Sequence, residues 1–304
     1  MTRETPRTDN CIVSERFAMD HLVQIARCAG ARPVLRLTGV CLLTLFFAMA
    51  SQAHSTDRPA DDLAEVDLQL ILAVDVSPSM SKVEQRVQRD GYVGAFRHAD
   101  IARAIKSGER GKIAVLYLEW AGPRQQTVIM PWTIVESLDD TLTLADRLAA
   151  LPLTEGRGTS ISGALSAANG LFATSGLRSP RRVIDVSGDG PNNAGALLDP
   201  IRQVLLAEGV TINGLPIALP RIGGADGFAM YDRSNLQSYF ERCVIGGPDA
   251  FAIGVTEPAM FATAVRRKLV REISMNMGQV IYAAYTARSD RTVDCNVIGQ
   301  LPGR

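Results

Sequence analysis

LILAVDVSPSMSKVE, residues 70–84, runs from an unbroken apolar stretch straight into one acid and three hydroxyls. Leu70 to Val74 read as a buried strand, because a short continuous apolar run suits a central strand of a parallel sheet. Asp75, Ser77 and Ser79 then stand at every second position, and Ser81 adds a further hydroxyl. Three explanations compete for this cluster: a loop that merely caps the next helix, a catalytic aspartate, or a metal site. Ser81 with Glu84 makes a capping box for the following helix, which leaves Ser77 and Ser79 without a capping task.

Outward from this stretch the chain alternates strand and helix. VDLQLILAVDVS is a strand, and KVEQRVQRDGYVGAFRHADIARAIKS one long helix with Val83, Val87, Val93, Phe96, Ile101 and Ile105 as core positions. KIAVLYLEWAG is a strand and RQQTVIMPWTIV its antiparallel partner. SLDDTLTLADRLAAL and TSISGALSAANGLFATS are helices, RRVIDVSG a strand, and NAGALLDPIRQVLLAEG a helix interrupted near Pro200. VTINGLPIAL, the short helix DRSNLQSYFERC, the strand AFAIGVT and the closing helix PAMFATAVRRKLVREISMNM complete the pattern. Phe261, Val265, Leu269 and Ile273 give the closing helix an apolar stripe. The expectation is an α/β fold, a doubly wound and mostly parallel sheet flanked by helices, with one antiparallel edge strand.

In such sheets ligands bind beyond the carboxyl ends of the strands. The first strand delivers Asp75, Ser77 and Ser79 there, the second Glu119 and Trp120. The loop EGRGTS delivers Thr159, and VIDVSGDGPNN delivers Asp189 between Gly188 and Gly190. Two carboxylates and three hydroxyls form an all-oxygen set, which suits a hard cation, magnesium first, with manganese or calcium as alternatives. The neutral hydroxyls fill coordination positions without neutralising the cation, so it keeps its attraction for an outside carboxylate.

Asp75-x-Ser77-x-Ser79, then Thr159, then Asp189-Gly190 resembles the metal-ion-dependent adhesion site of von Willebrand factor A domains. The intervals fit as well: 80 residues from Ser79 to Thr159 and 30 more to Asp189. The resemblance covers about 66–278, and LEWAG and CVIGGPDAFAIGV resemble a secreted bacterial branch of that superfamily whose function is unassigned. It implies a Rossmann-like fold, with Ser77, Ser79 and Thr159 at or near the metal and Asp75 and Asp189 acting directly or through water. It also implies an adhesion-type module binding a protein partner through an acidic side chain. Asp185, mid-strand, is either a partner of the site from behind or a buried acid paired with backbone. Glu119 and Trp120 are candidates for the rim, Arg157 for attracting an anionic ligand, and Asn192 and Asn193 for capping the helix after Asp189.

The remaining features bound the chemistry. With Lys plus Arg at 32 and Asp plus Glu at 32, the chain is formally neutral, which argues against nucleic acid as a partner. Arg32 and Arg36 precede the apolar run LTGVCLLTLFFAMA (37–50), and SQA (51–53) offers small residues for cleavage. Residues 1–53 therefore read as a signal peptide region, with Met1 or Met19 as the start, and 54–65 as a polar linker. The domain is expected over 66–284, followed by a C-terminal tail, 285–304. An uncleaved segment would instead anchor the protein in the membrane. Export leaves Cys243 and Cys295, which suggest one disulfide in a periplasmic or secreted protein, two free thiols being the alternative.

Catalytic readings fare less well. GTSIS (158–162) mimics a subtilisin nucleophile segment, with Asp75, His98 and Ser160 in the corresponding order, but His98 falls inside a helix and the intervals are too short. A phosphatase of the haloacid dehalogenase type wants a second acid where Ser77 stands, and no P-loop is present. The expectation is a binding module and not an enzyme. A hydrolase using the bound cation, or a structural domain with a vestigial site, are the alternatives.

Overall fold

A computed structural model describes residues 63–219 and 235–274, together with Val293 and Cys295. The expected signal region, most of the linker and nearly all of the tail lie outside the described residues. Strand β1 (Leu68–Asp75) is buried along all eight residues, as an apolar run in mid-sheet must be. It is followed by α1 (Lys82–Phe96) and α2 (Ala99–Lys106), then β2 (Ile113–Trp120), β3 (Gln126–Val135) and α3 (Leu138–Ala150). Next come α4 (Ile161–Ala173), β4 (Arg182–Gly188), α5 (Leu198–Ala207), β5 (Val210–Pro216), α6 (Leu236–Tyr239) and α7 (Phe261–Ile273).

The five strands lie in the order β3-β2-β1-β4-β5, all parallel except β3, which runs antiparallel to β2 at the edge. This is the doubly wound sheet expected from the alternation. Pro131 lies in β3 at a register irregularity, where an edge strand tolerates a missing N–H.

Alternate residues of β1 feed two cores. Leu68, Leu70, Leu72 and Val74 pack with the α1, α2, α3 and α7 side, including the stripe Phe261, Val265, Leu269 and Ile273. Ile71 and Ala73 face Leu116, Leu118, Ile161, Leu165, Ile184 and Val186 with the α4 and α5 side. The sheet order reverses at β1, so the crevice between the carboxyl ends of β1 and β4 is where a ligand is expected.

Four expectations change. The long first helix is two helices: Arg97 closes α1, and the His98 imidazole accepts from the Asp100 N–H to start α2. Val83 is 70% exposed and not core; it stands in the first turn of α1, and its side chain faces solvent. AFAIGVT forms only isolated bridges, Gly214 with Ala252 and Ile217 with Val255. The short helix near residue 240 widens into a π-turn, Phe240–Val244, that carries Cys243.

Candidate metal centre

Asp75 is the last residue of β1, fully buried and paired in register with Trp120 of β2. Its Oδ1 accepts from the Ser77 N–H at 2.7 Å, which bends the chain off the strand. That bend carries Ser77 and Ser79 over the strand end, where their hydroxyls are 2.9 Å apart. Ser81 begins α1 with both halves of the capping box in place, as its sequence required. The Gln88 side-chain amide donates to the Asp75 carbonyl at 3.0 Å and holds the loop from below.

Asp189 follows β4 directly and is 8% exposed; its Oδ1 accepts from the Ser79 hydroxyl at 2.5 Å. Thr159, 4% exposed, is brought to the same edge by the next loop. Gly158 just before it takes φ +78°, a backbone region that favours glycine. The Thr159 carbonyl accepts from the Asn193 and Ala194 N–H groups, its N–H donates to Asn193 Oδ1 at 3.1 Å, and the Ser162 N–H donates to Asn192 Oδ1 at 2.9 Å. The two asparagines therefore tie the β4 loop to the start of α4. They do not cap the helix after Asp189, which begins at Leu198 with no side-chain cap. All five residues of the proposed metal set thus stand at one sheet edge.

The electrostatics ask for a cation. Asp75 Oδ2 is buried with no hydrogen-bond partner, and a Cβ on Gly188 would lie 2.9 Å from it. Burial first, and the Asp189 charge second, push the Asp75 carboxyl up to about 8. Two carboxylates this enclosed cannot both stay ionised unless positive charge sits between them. Oxygen donors of this kind, two of them anionic and three hydroxylic, fit a small divalent ion. Among the described residues no group of three or more His, Cys, Asp or Glu could hold a metal, so any site here must recruit hydroxyls.

The softer candidates separate. Trp120 is fully buried, with its ring against the Gly188 backbone, and so underlies the site from below and leaves its rim to other residues. Glu119 is buried in an ion pair with Arg89 and accepts from the Thr154 hydroxyl. Arg157 is exposed on the loop before Thr159, and its N–H donates to Gln125 Oε1 at 2.6 Å. Asp185 pairs with a side chain and not with backbone: Lys268 Nζ of α7 lies 2.6 Å from its Oδ1, and Lys268 also contacts Glu272. Sequence reasoning passed over Lys268 and Arg89, both buried. Lys268 stands four residues before Glu272 beside an apolar stripe, a pairing that a helical wheel would have displayed. His98 contacts Asp100 and Arg266, not Ser160, whose hydroxyl caps α4, so no protease-like triad forms. The cysteine expectation holds: Cys243 and Cys295 are disulfide-bonded, with Cα atoms 5.4 Å apart.

Residues 65–277 match the family described as "Protein of unknown function (DUF1194)", and the chain belongs to that family. No curated protein matches it. Among solved structures, it is similar to the pilus adhesin SpaC of Lactobacillus rhamnosus GG, 11% identical over 68% of this chain and 30% of that one, with a TM-score of 0.50. It is similar to a von Willebrand factor type A protein of Catenulispora acidiphila, 14% identical over 69% and 43%, TM-score 0.47. It is similar also to proximal thread matrix protein 1 of the mussel byssus with a zinc-occupied metal-ion-dependent adhesion motif, 17% identical over 69% and 48%, TM-score 0.48. The chain spans about half or less of each of these proteins. Its fold is von Willebrand factor A-like, a doubly wound and mostly parallel sheet shared with the SpaC structure.

Proposed function

We propose that this protein is an exported binding module that holds a divalent cation, magnesium first, on Asp75, Ser77, Ser79, Thr159 and Asp189, and captures an acidic side chain of a protein partner. The observation that carries the reading is the buried Asp75 carboxylate, one oxygen without a partner, facing Asp189 across the strand ends. The bound cation would supply a Lewis-acidic position open to an outside carboxylate. The protein's own residues do the rest. Ser77 and Ser79 present neutral oxygens, Asp189 fixes Ser79, and Asn193 sets the height of Thr159. Binding is the role this reading assigns because the Ser77 and Ser79 hydroxyls are turned to each other and to Asp189, as oxygens sharing one cation would be.

Export rests on the sequence of residues 37–53, and among the described residues no helix is long and apolar enough to cross a membrane. The adhesin among the similar structures agrees with a binding role. Calorimetric titration with magnesium, manganese and calcium, on wild type and Asp75→Asn, tests the metal. Capture of a periplasmic partner with and without chelator tests the binding. Heat that is identical in wild type and Asp75→Asn would overturn the proposal.

A further inference from the structure

A cleft of about 200 Å³ opens beside the metal loop, bounded by Val76, Glu119, Arg124, Gln126, Thr154 and Glu155. Val76 lies between Asp75 and Ser77, and its carbonyl accepts from the Gly156 N–H at 3.0 Å, so the cleft wall continues into the proposed metal site. Of its acids, Glu119 is committed within the fold and Glu155 faces a lysine at the surface. Glu119 is held by Arg89 and Thr154, and Glu155 pairs with Lys82 at 2.9 Å. Arg124 is exposed at the turn Gly122–Gln125 and makes no ion pair among the described residues; neither does Arg157 on the adjoining loop. The cleft therefore presents, in Arg124, a cation that makes no ion pair among the described residues.

The two loops that carry these arginines are rigidly apposed. A Cβ on Gly122 would collide with the Arg157 carbonyl oxygen, and one on Gly156 with the Ala121 Cβ. The Ser160 N–H donates to the Ala121 carbonyl at 2.7 Å, which locks the turn to the Thr159 loop. The backbone at Arg124 is thus set at a fixed place relative to the metal residues, and its side chain reaches out from a rigid base.

We propose that this cleft is a second carboxylate subsite, so that the module selects an acidic peptide segment carrying two acids: one for the cation and one for Arg124. The subsite rests on the metal reading above. A guanidinium binds a carboxylate bidentately, with directionality that a lysine would lack. The two acids should stand a few residues apart, at about 3.3–3.6 Å per extended residue.

The test is calorimetry on the full chain in magnesium, using capped peptides Asp-Gly-Asp, Asp-Gly-Gly-Asp and Asp-Gly-Gly-Gly-Asp, each against its counterpart with Asn as the second acid. The best diacid should bind about tenfold more tightly than its Asn counterpart, an advantage that shrinks with added salt. Arg124→Gln, an exposed change that leaves folding intact, should bring the ratio to within about twofold. Arg267→Gln on the exposed face of α7 controls for net charge and should keep the advantage. Equal affinities for diacid and monoacid, no peptide binding at all, or an advantage that survives Arg124→Gln overturns the subsite. The metal reading stands in each of those cases if magnesium alone gives Asp75-dependent heat, and both fall if it does not.

Discussion

The Ser79 hydroxyl donates to Asp189 Oδ1 across 2.5 Å, although 110 residues separate them. This contact joins the loop after β1 to the end of β4 at the point where the strand order reverses. It gathers one carboxylate from each of two neighbouring strands under a shared pair of hydroxyls. The arrangement is costly for the metal-free protein and useful once a cation is bound, and the first two predictions follow from that contrast.

Asp75→Asn should abolish magnesium binding and stabilise the metal-free protein at pH 8. In the fold the Asp75 carboxyl is pushed up to about 8, above its ordinary 3.8, by burial and then by Asp189. A raised carboxyl favours the fold at low pH, and that contribution is lost as pH climbs through 8. The gain from Asp75→Asn should thus be near zero at pH 4 and grow to about 1–2 kcal/mol at pH 8, or roughly 3–6 °C in melting temperature. Melting curves of both proteins in chelator from pH 4 to 8 check it; a gain largest at pH 4 contradicts the assignment.

Magnesium should raise the wild-type melting point with the logarithm of its concentration above Kd, with about 2.7 kcal/mol gained at a hundred times Kd. Apparent affinity should fall as pH drops below 8, because protons compete for Asp75. Thr159→Ala should weaken magnesium about tenfold without abolishing it, since water can replace one neutral ligand. An unaltered Kd in Thr159→Ala would remove Thr159 from the ligand set.

Beneath α7, Lys268 holds together Asp185 and Glu272, and Asn213 donates to Glu272 at 2.9 Å. Tyr92 faces Asp185 from α1. Burial, and then the Asp185 charge, push Glu272 up to about 7 from 4.5. Its contribution to stability is therefore present below about pH 4.5 and lost as pH rises through 7. Glu272→Gln should flatten that part of the stability curve in denaturant titrations. Lys268→Met, which leaves the two acids facing each other without a cation, should cost about 3–5 kcal/mol. A cost under 1 kcal/mol would show that the trio is not electrostatically coupled.

The Cys243–Cys295 disulfide closes a sequence separation of 52 residues and ties the chain near its C-terminus to the π-turn before α7. Cys295→Ser should lower stability by about 3–4 kcal/mol on the chain-entropy account. Guanidinium unfolding of the oxidised wild type against the variant measures this. A reductant should bring the two curves together.

The sequence alone determined the fold class and the metal candidates, because both depend on short-range pattern. The unbroken apolar run of β1 can satisfy itself only in mid-sheet, and the alternation with helical stripes forces parallel neighbours. The parity of Asp75, Ser77 and Ser79, with Thr159 and Asp189 after their strands, needs only the rule that such sheets bind ligands at their carboxyl ends. Tertiary structure decided what depends on contacts between distant segments. Asn192 and Asn193 look like helix caps in sequence, yet they brace the Thr159 loop because that loop, and not α5, lies within their reach. Val83 fits a helical stripe but faces solvent. Asp185 and Lys268 are 83 residues apart in sequence, and only the packing of α7 over β4 makes one the counter-charge of the other. Arg124 stands without an ion pair in a cleft whose acids face other cations, Glu119 the buried Arg89 and Glu155 the exposed Lys82, pairings that exist only once the fold has brought those side chains together.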